Sequence, residues 1–149
     1  MNLRFILSTF IILLFTAYAC GNSGDESSPQ LNNEMTISEQ IDLLIENNDY
    51  ETALAILEDM DQNDPEILTL REKTHLNFGL HSMSTFDQTE MRTRMNNALT
   101  QFTEVIRINP ENDVAREQIE QIMGIYATIP NRQPEPEVLE GLREVGFDY

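Results

Sequence analysis

The sequence predicts an all-α fold beyond residue 34, on three observations: apolar residues recur there at steps of three and four, no run alternates with period two, and the helical stretches are punctuated by Pro or by Asn and Asp clusters. Ser38 is a cap for a first helix carrying Ile41, Leu44 and Ile45, and Asn47-Asn48-Asp49 breaks it. Tyr50 to about Gln62 is a second helix with Ala53, Leu54, Leu57 and Met60 on one face, and Pro65 prevents its continuation. A third runs from about Glu66 to Leu80 with Leu68, Leu70, Leu76 and Phe78. The fourth has the clearest stripe, Met91, Met95, Ala98, Leu99, Phe102, Val105 and Ile106, and stops at Asn109-Pro110. Asp113 to about Thr128 is a fifth, carrying Val114, Ile119, Ile122 and Met123. Pro136 suits the first turn of a short sixth, Glu135 to Val145, with Val138, Leu139, Leu142 and Val145 as its apolar stripe and Gly146 as its stop. This last helix is expected to cap the exposed end of the fifth, reached by a stiff Pro130 to Pro134 connection; a docking tail ending Phe147-Asp148-Tyr149 is the other reading.

The first 33 residues are of another kind. Met1 to Arg4 is a short n-region with one positive side chain, Phe5 to Phe15 an apolar h-region, and Ala17-Tyr18-Ala19 a small-x-small cleavage site. The sole cysteine, Cys20, follows directly. This segment resembles a bacterial lipoprotein signal, although Ala17 and Tyr18 replace the usual Leu and small residue. The resemblance implies cleavage before Cys20, a thioether-linked diacylglycerol and an N-acyl lipid on that residue, and an envelope protein. Gly21 in place of a retaining Asp favours the outer membrane. A plain secretory signal would leave an unpaired N-terminal thiol. An uncleaved anchor is disfavoured because the apolar stretch from Phe5 to Ala19 falls short of the roughly 20 residues a span needs. Residues 20–33, polar and acidic with only Leu31 as a large apolar residue, read as a flexible tether whose reach is on the order of 40 Å.

Two segments share a pattern. Asn48-Asp49-Tyr50-Glu51-Thr52-Ala53-Leu54-Ala55-Ile56-Leu57 with Asn63-Asp64-Pro65, and Ala98-Leu99-Thr100-Gln101-Phe102 through Asn109-Pro110, each place a large residue four after an Ala and a Pro twelve after it. Both resemble the second helix of a tetratricopeptide repeat. The resemblance implies a short helical-hairpin solenoid, TPR-like, of about two and a half repeats over residues 34–128, with residues 129–149 supplying the connection and a C-terminal capping helix. Ala53 and Ala98 are then helix-contact positions. The copies lie 45 residues apart, against a family period of about 34. The excess is assigned to a lengthened hairpin with its tip near His81 to Gln88. The usual Trp and Gly of the first helices are missing; Ile37 and Ile41, then Arg71 and His75, stand in their places. Ligands of this family commonly lie along the face made by the first helix of each pair. Carried over, that face comprises Asp42, Ile45, Glu46, Glu72, Leu76, Glu117 and Gln121, and implies a protein or peptide partner bearing Lys or Arg.

Charge is unevenly spread. Residues 25–66 hold 13 acidic and no basic side chains, residues 67–108 hold 4 and 5, and residues 109–149 hold 9 and 3, within a chain of net charge −17. Nucleic acid is a poor partner for such a surface. The acidic first part suits cations, a basic segment or simple solvation. Arg92 and Arg94 form a local basic spot near the hairpin tip. No catalytic pattern is found: His75 and His81 do not share a helical face, and Asp59-x-Asp61-x-Asn63 fails as a calcium loop at Asp64, Pro65 and Leu70. Neither G-x-S-x-G, H-E-x-x-H nor a Gly-rich phosphate loop occurs. The expectation is a non-enzymatic, lipid-anchored envelope protein that acts as a scaffold or adaptor, without metal or dissociable cofactor. The alternatives are a structural subunit of an envelope assembly and an acidic cation-binding surface protein.

Overall fold

The computed structural model describes residues 35–84 and 89–149; the predicted signal, Cys20, the tether and the centre of the hairpin tip lie outside the described residues. Six helices, and no strand, occur among the described residues. The first, α1, spans Ile37–Glu46, and its cap is Thr36 rather than the expected Ser38. Thr36 Oγ1 accepts from the Glu39 amide at 3.3 Å, and Glu39 returns the bond to the Thr36 amide at 2.7 Å. Ser38 has Ile41 at the equivalent position, which cannot reciprocate, so the capping box selects Thr36. At the other end Asn48 adopts φ 59°, the Asp49 amide reaches Leu44 O at 2.9 Å and the Asn48 amide reaches Ile45 O at 3.0 Å. That pair of bonds is a Schellman closure with Asn in the left-handed position.

Helix α2, Tyr50–Glu58, opens on Asp49, whose side chain accepts from the Thr52 amide. It stops four residues short of the expected Gln62. The reason is Gln62 itself, whose Nε2 donates to the carbonyls of Leu57 at 2.7 Å and Met60 at 2.8 Å, satisfying groups a continuing helix would have used. Its Oε1 accepts from Arg71 Nη1 at 2.6 Å, which ties the end of α2 to α3. Helix α3 runs Pro65–Ser84, four residues beyond the expected Leu80. Its last turn, His81-Ser82-Met83-Ser84, is polar in sequence but is held by Ser82 Oγ on Phe78 O and by Met83 against α4-centred core. Helices α4, Met91–Ile108, and α5, Asp113–Thr128, have the expected bounds, and α6 spans Pro136–Glu144.

The apolar side chains gather in two clusters. One joins Ile41 and Leu44 of α1, Ala53 and Leu57 of α2, and Ile67 and Leu70 from the first half of α3. The larger one joins α4, α5 and α6 through Met95, Leu99, Phe102, Ile106, Ile119, Ile122 and Leu142, with Leu76 and Met83 of α3 against it. Helix α3 therefore belongs to both. Consecutive helices pack as neighbours, α1 on α2, α2 on α3, α3 on α4 and α4 on α5, and α1 also touches α3. Ala53 and Ala98 are fully buried at these contacts, as the repeat register requires, and Thr100 is exposed.

Helix α6 lies chiefly on α4, where the sequence placed it on α5. Leu142 is fully buried there, and Arg107 of α4 bonds Glu144 at 2.5 Å. The end of α5 facing the tail is covered by the residues that follow α6: Phe147 is nearly buried in the larger cluster and the Arg116 guanidinium sits 5.6 Å from its ring centre. The tail is packed on its own domain, which removes the free docking-tail reading for Phe147.

Candidate functional site

The residues assigned to a binding face fall into three groups. Asp42 of α1 and Glu72 of α3 are engaged internally: Asp42 Oδ1 pairs with Lys73 Nζ at 2.6 Å, and Glu72 Oε1 accepts from Nδ2 of both Asn109 and Asn112 at 2.8 Å. These contacts line up α1, α3 and the turn that starts α5. Ile45 and Leu76 are partly buried, the former against the smaller cluster and the latter against the larger. Glu46, Glu117 and Gln121 are exposed. Asn112 also caps α5 through the Ala115 amide at 2.9 Å, so one side chain starts that helix and holds Glu72.

A second polar feature runs inside the α3–α4 contact. His75, 8 % exposed, approaches Gln101 with Nδ1 at 2.8 Å from Oε1. Gln101 Nε2 donates to Asn97 Oδ1, Asn97 Nδ2 to Ser82 Oγ, and Ser82 Oγ to Phe78 O. Because Gln101 spends its amide hydrogens on Asn97, its oxygen faces His75, and the proton of the neutral imidazole belongs on Nδ1. Burial pushes the His75 pKa down, against smaller upward pulls from the Gln101 bond and Glu104. The chain fixes the register of the two longest helices, each member satisfied by the next.

A cleft of about 1060 Å³ opens at the far end, between the last turns of α5, the 129–135 connection, α6 and the start of α4. Arg92, Arg132 and Arg143 line it, over apolar surface from Met123, Ile129 and Leu139. No Asp or Glu is among its lining residues. The three arginines are exposed, and the side chains of Arg92 and Arg132 have no hydrogen-bond or ion-pair partner among the described residues. Arg143 Nη2 donates to the backbone oxygen of Tyr149 at 3.4 Å.

Asn96 builds the wall behind this cleft. Its Oδ1 accepts from the Tyr126 hydroxyl and from the Glu135 amide, both at 3.3 Å, which clamps the start of α6 to α4 and α5. Its Nδ2 is buried without a partner among the described residues, a polar group held in place by what its oxygen does. Asn131 turns the connection at φ 59°, and Pro134 is buried. The Tyr126 phenol is pushed above its ordinary value by burial, with Arg92 and Arg132 pulling it down and Glu135 raising it. Arg92 and Arg94, expected to form one basic spot, are separated: Arg94 pairs with Glu90 at 2.8 Å while Arg92 lines the cleft. Arg132 and Arg143 lie 40 and 51 residues beyond Arg92, in segments read only as connection and cap, and nothing in their spacing joined them.

Among the described residues, no group of three or more His, Cys, Asp or Glu side chains could hold a metal ion, and no helix is long and apolar enough to cross a membrane. No protein-family model matches the chain, and neither a curated protein nor a solved structure is significantly similar to it.

Proposed function

We propose that this chain is a lipid-anchored adaptor of the bacterial cell envelope, attached through Cys20 and binding a protein segment along the face shared by α1, α3 and the start of α5. One observation carries the reading: the Asp42–Lys73 pair ties α1 to α3, and the Glu72 bonds to Asn109 and Asn112 tie α3 to the turn that starts α5, a linkage that suits the first helices of successive repeats. The two fully buried alanines at equivalent positions of α2 and α4 support the same register. Glu46 and Glu117, exposed on the assigned face, give it a negative rim suited to Lys or Arg on a partner.

Two measurements test the reading separately. Metabolic labelling with an alkyne fatty acid marks the wild-type chain and not Cys20→Ser; equal labelling of both, or none of either, removes the anchor. Affinity capture from envelope extracts, compared between wild type and Glu46→Gln/Glu117→Gln at matched melting temperature, tests the face. Partners lost from the double variant and weakened by added salt fit the adaptor. Partners retained in full by the double variant count against this face.

A further inference from the structure

We propose that the arginine-lined cleft is a second binding site, for an acidic peptide segment whose carboxylates sit on Arg92, Arg132 and Arg143 and whose apolar side chain enters between Met123, Ile129 and Leu139. The inference goes beyond the adaptor reading and concerns a different surface. Its starting point is a charge anomaly. The chain has 26 acidic and 9 basic side chains, yet the cleft is lined by three guanidinium groups and no Asp or Glu side chain; Tyr149, whose backbone oxygen accepts from Arg143, also lines it. Elsewhere among the described residues the cations are used: Lys73, Arg94 and Arg107 are ion-paired, Arg71 holds Gln62, and Arg116 covers Phe147 while donating to Pro110 O. Arg92 and Arg132 alone combine exposure with no partner among the described residues, and both line the same cleft.

The cleft is held open before any ligand arrives. Asn96 fixes Tyr126 and the start of α6, and Pro130, Pro134 and Pro136 limit the conformations of the connection. A preformed wall lowers the ordering cost of binding. Its volume lies just above the roughly 300–1,000 Å³ typical of small-ligand sites, and it combines apolar surface with cationic side chains, which fits several residues of extended chain better than a lone anion. Guanidinium groups bind carboxylates through paired N–H donors, so acidic side chains are the matching chemistry.

An anionic bilayer is the less suitable occupant. It would face the whole chain, whose net charge is −17, whereas a peptide in the cleft feels mainly charges within a Debye length of about 8 Å. Glu135, whose charge is felt at Tyr126, adjoins the cleft without lining it.

The test uses the full chain and a random dodecapeptide display library. The expected result is enrichment of peptides that combine Asp or Glu with a large apolar residue. The best of these, made with a fluorescent label, should bind about tenfold or more weaker to Arg92→Gln/Arg132→Gln/Arg143→Gln, with a steep loss of affinity in salt. All three side chains are exposed, so the variant should keep its melting temperature, and circular dichroism checks this. Binding that survives in the triple variant, or a library that yields no acidic peptides, overturns the proposal. Binding of the wild type to phosphatidylglycerol vesicles, lost in the triple variant, without peptide enrichment, assigns the cleft to lipid instead and equally overturns it. If only basic peptides are selected and Glu46→Gln/Glu117→Gln abolishes them, the cleft fails while the adaptor face stands.

Discussion

Gly79, in the interior of α3, leaves no room for a side chain because the Phe102 ring of α4 lies over it: a Cβ there would be 2.5 Å from Cε1 and 2.8 Å from Cζ. Phe102 is fully buried, so the ring cannot swing into solvent to make space. Gly79→Ala should therefore lower stability by about 1–3 kcal/mol in urea melts, even though Ala is favoured over Gly by about 1 kcal/mol in a helix. Phe102→Leu on the same background should recover part of the loss, and the coupling in that double-mutant cycle reports the contact directly. A stabilised Gly79→Ala would show that α3 and α4 are not this close.

Ala98 is fully buried and Thr100, on the same helix, is exposed. Ala98→Leu should cost about 1–3 kcal/mol by overpacking, while Thr100→Leu should be nearly neutral. Thermal melts of the pair check the register of α4, and equal tolerance at both sites would count against it.

The end of α6 is closed by Gly146 at φ 93°, with the Phe147 amide on Leu142 O at 3.0 Å and the Gly146 amide on Arg143 O at 3.1 Å. Leu142 and Phe147 meet in the larger cluster across this closure. Gly146→Ala should destabilise by about 1 kcal/mol, because a Cβ opposes the left-handed backbone. Phe147→Ala should cost about 3 kcal/mol, because its ring is packed in the larger cluster. A denaturant titration that leaves the Phe147→Ala midpoint unchanged would mean that the tail is detached.

The buried His75 gives stability a pH dependence. Its folded pKa lies below the ordinary 6.5, so the unfolded chain binds the proton more readily. Stability is complete above about 6.5 and falls as the pH drops from there toward the lowered folded value, with a slope of at most one proton, about 1.4 kcal/mol per pH unit. His75→Gln, which keeps a donor for Gln101, should flatten the dependence of melting temperature between pH 7 and 5. Glu39, held below 4.5 chiefly by the Thr36 amide, contributes a further loss only in more acid solution.

Much of the fold is legible in the sequence because its signals are local. The stripe from Met91 to Ile106, the Asn-Pro stop and the Pro136–Gly146 bracket each act within a few residues, and the corresponding helices match the expected bounds to within one residue. The misses come from side chains acting at a distance or in competition. Thr36 outcompetes Ser38 through Glu39, Gln62 folds back to end α2, and Gly79 is read as ordinary helix unless Phe102 is known to lie opposite. The cleft is the extreme case, since Arg92, Arg132 and Arg143 come from three separate elements and converge through the packing of α6 on α4 and the Asn96 clamp. Glu72 was placed on a ligand face by the repeat pattern, and its engagement with Asn109 and Asn112 depends on a turn that no single helix specifies.

The division of the apolar residues between two clusters, joined by α3, bears on how the domain yields to force. A load applied at residue 35 enters through α1, and the side chains that resist it first are those of the smaller cluster. Outside it, α2 is held to α3 by the Tyr50–Phe78 stack, 5.0 Å between ring centres, and by Gln62 on Arg71. The larger cluster, and the cleft built on it, lie beyond these contacts. Traction from the N-terminal side is therefore expected to disrupt α1, α2 and their contacts with the first half of α3 before it reaches the packing of α4, α5 and α6 on which the arginine cleft is built.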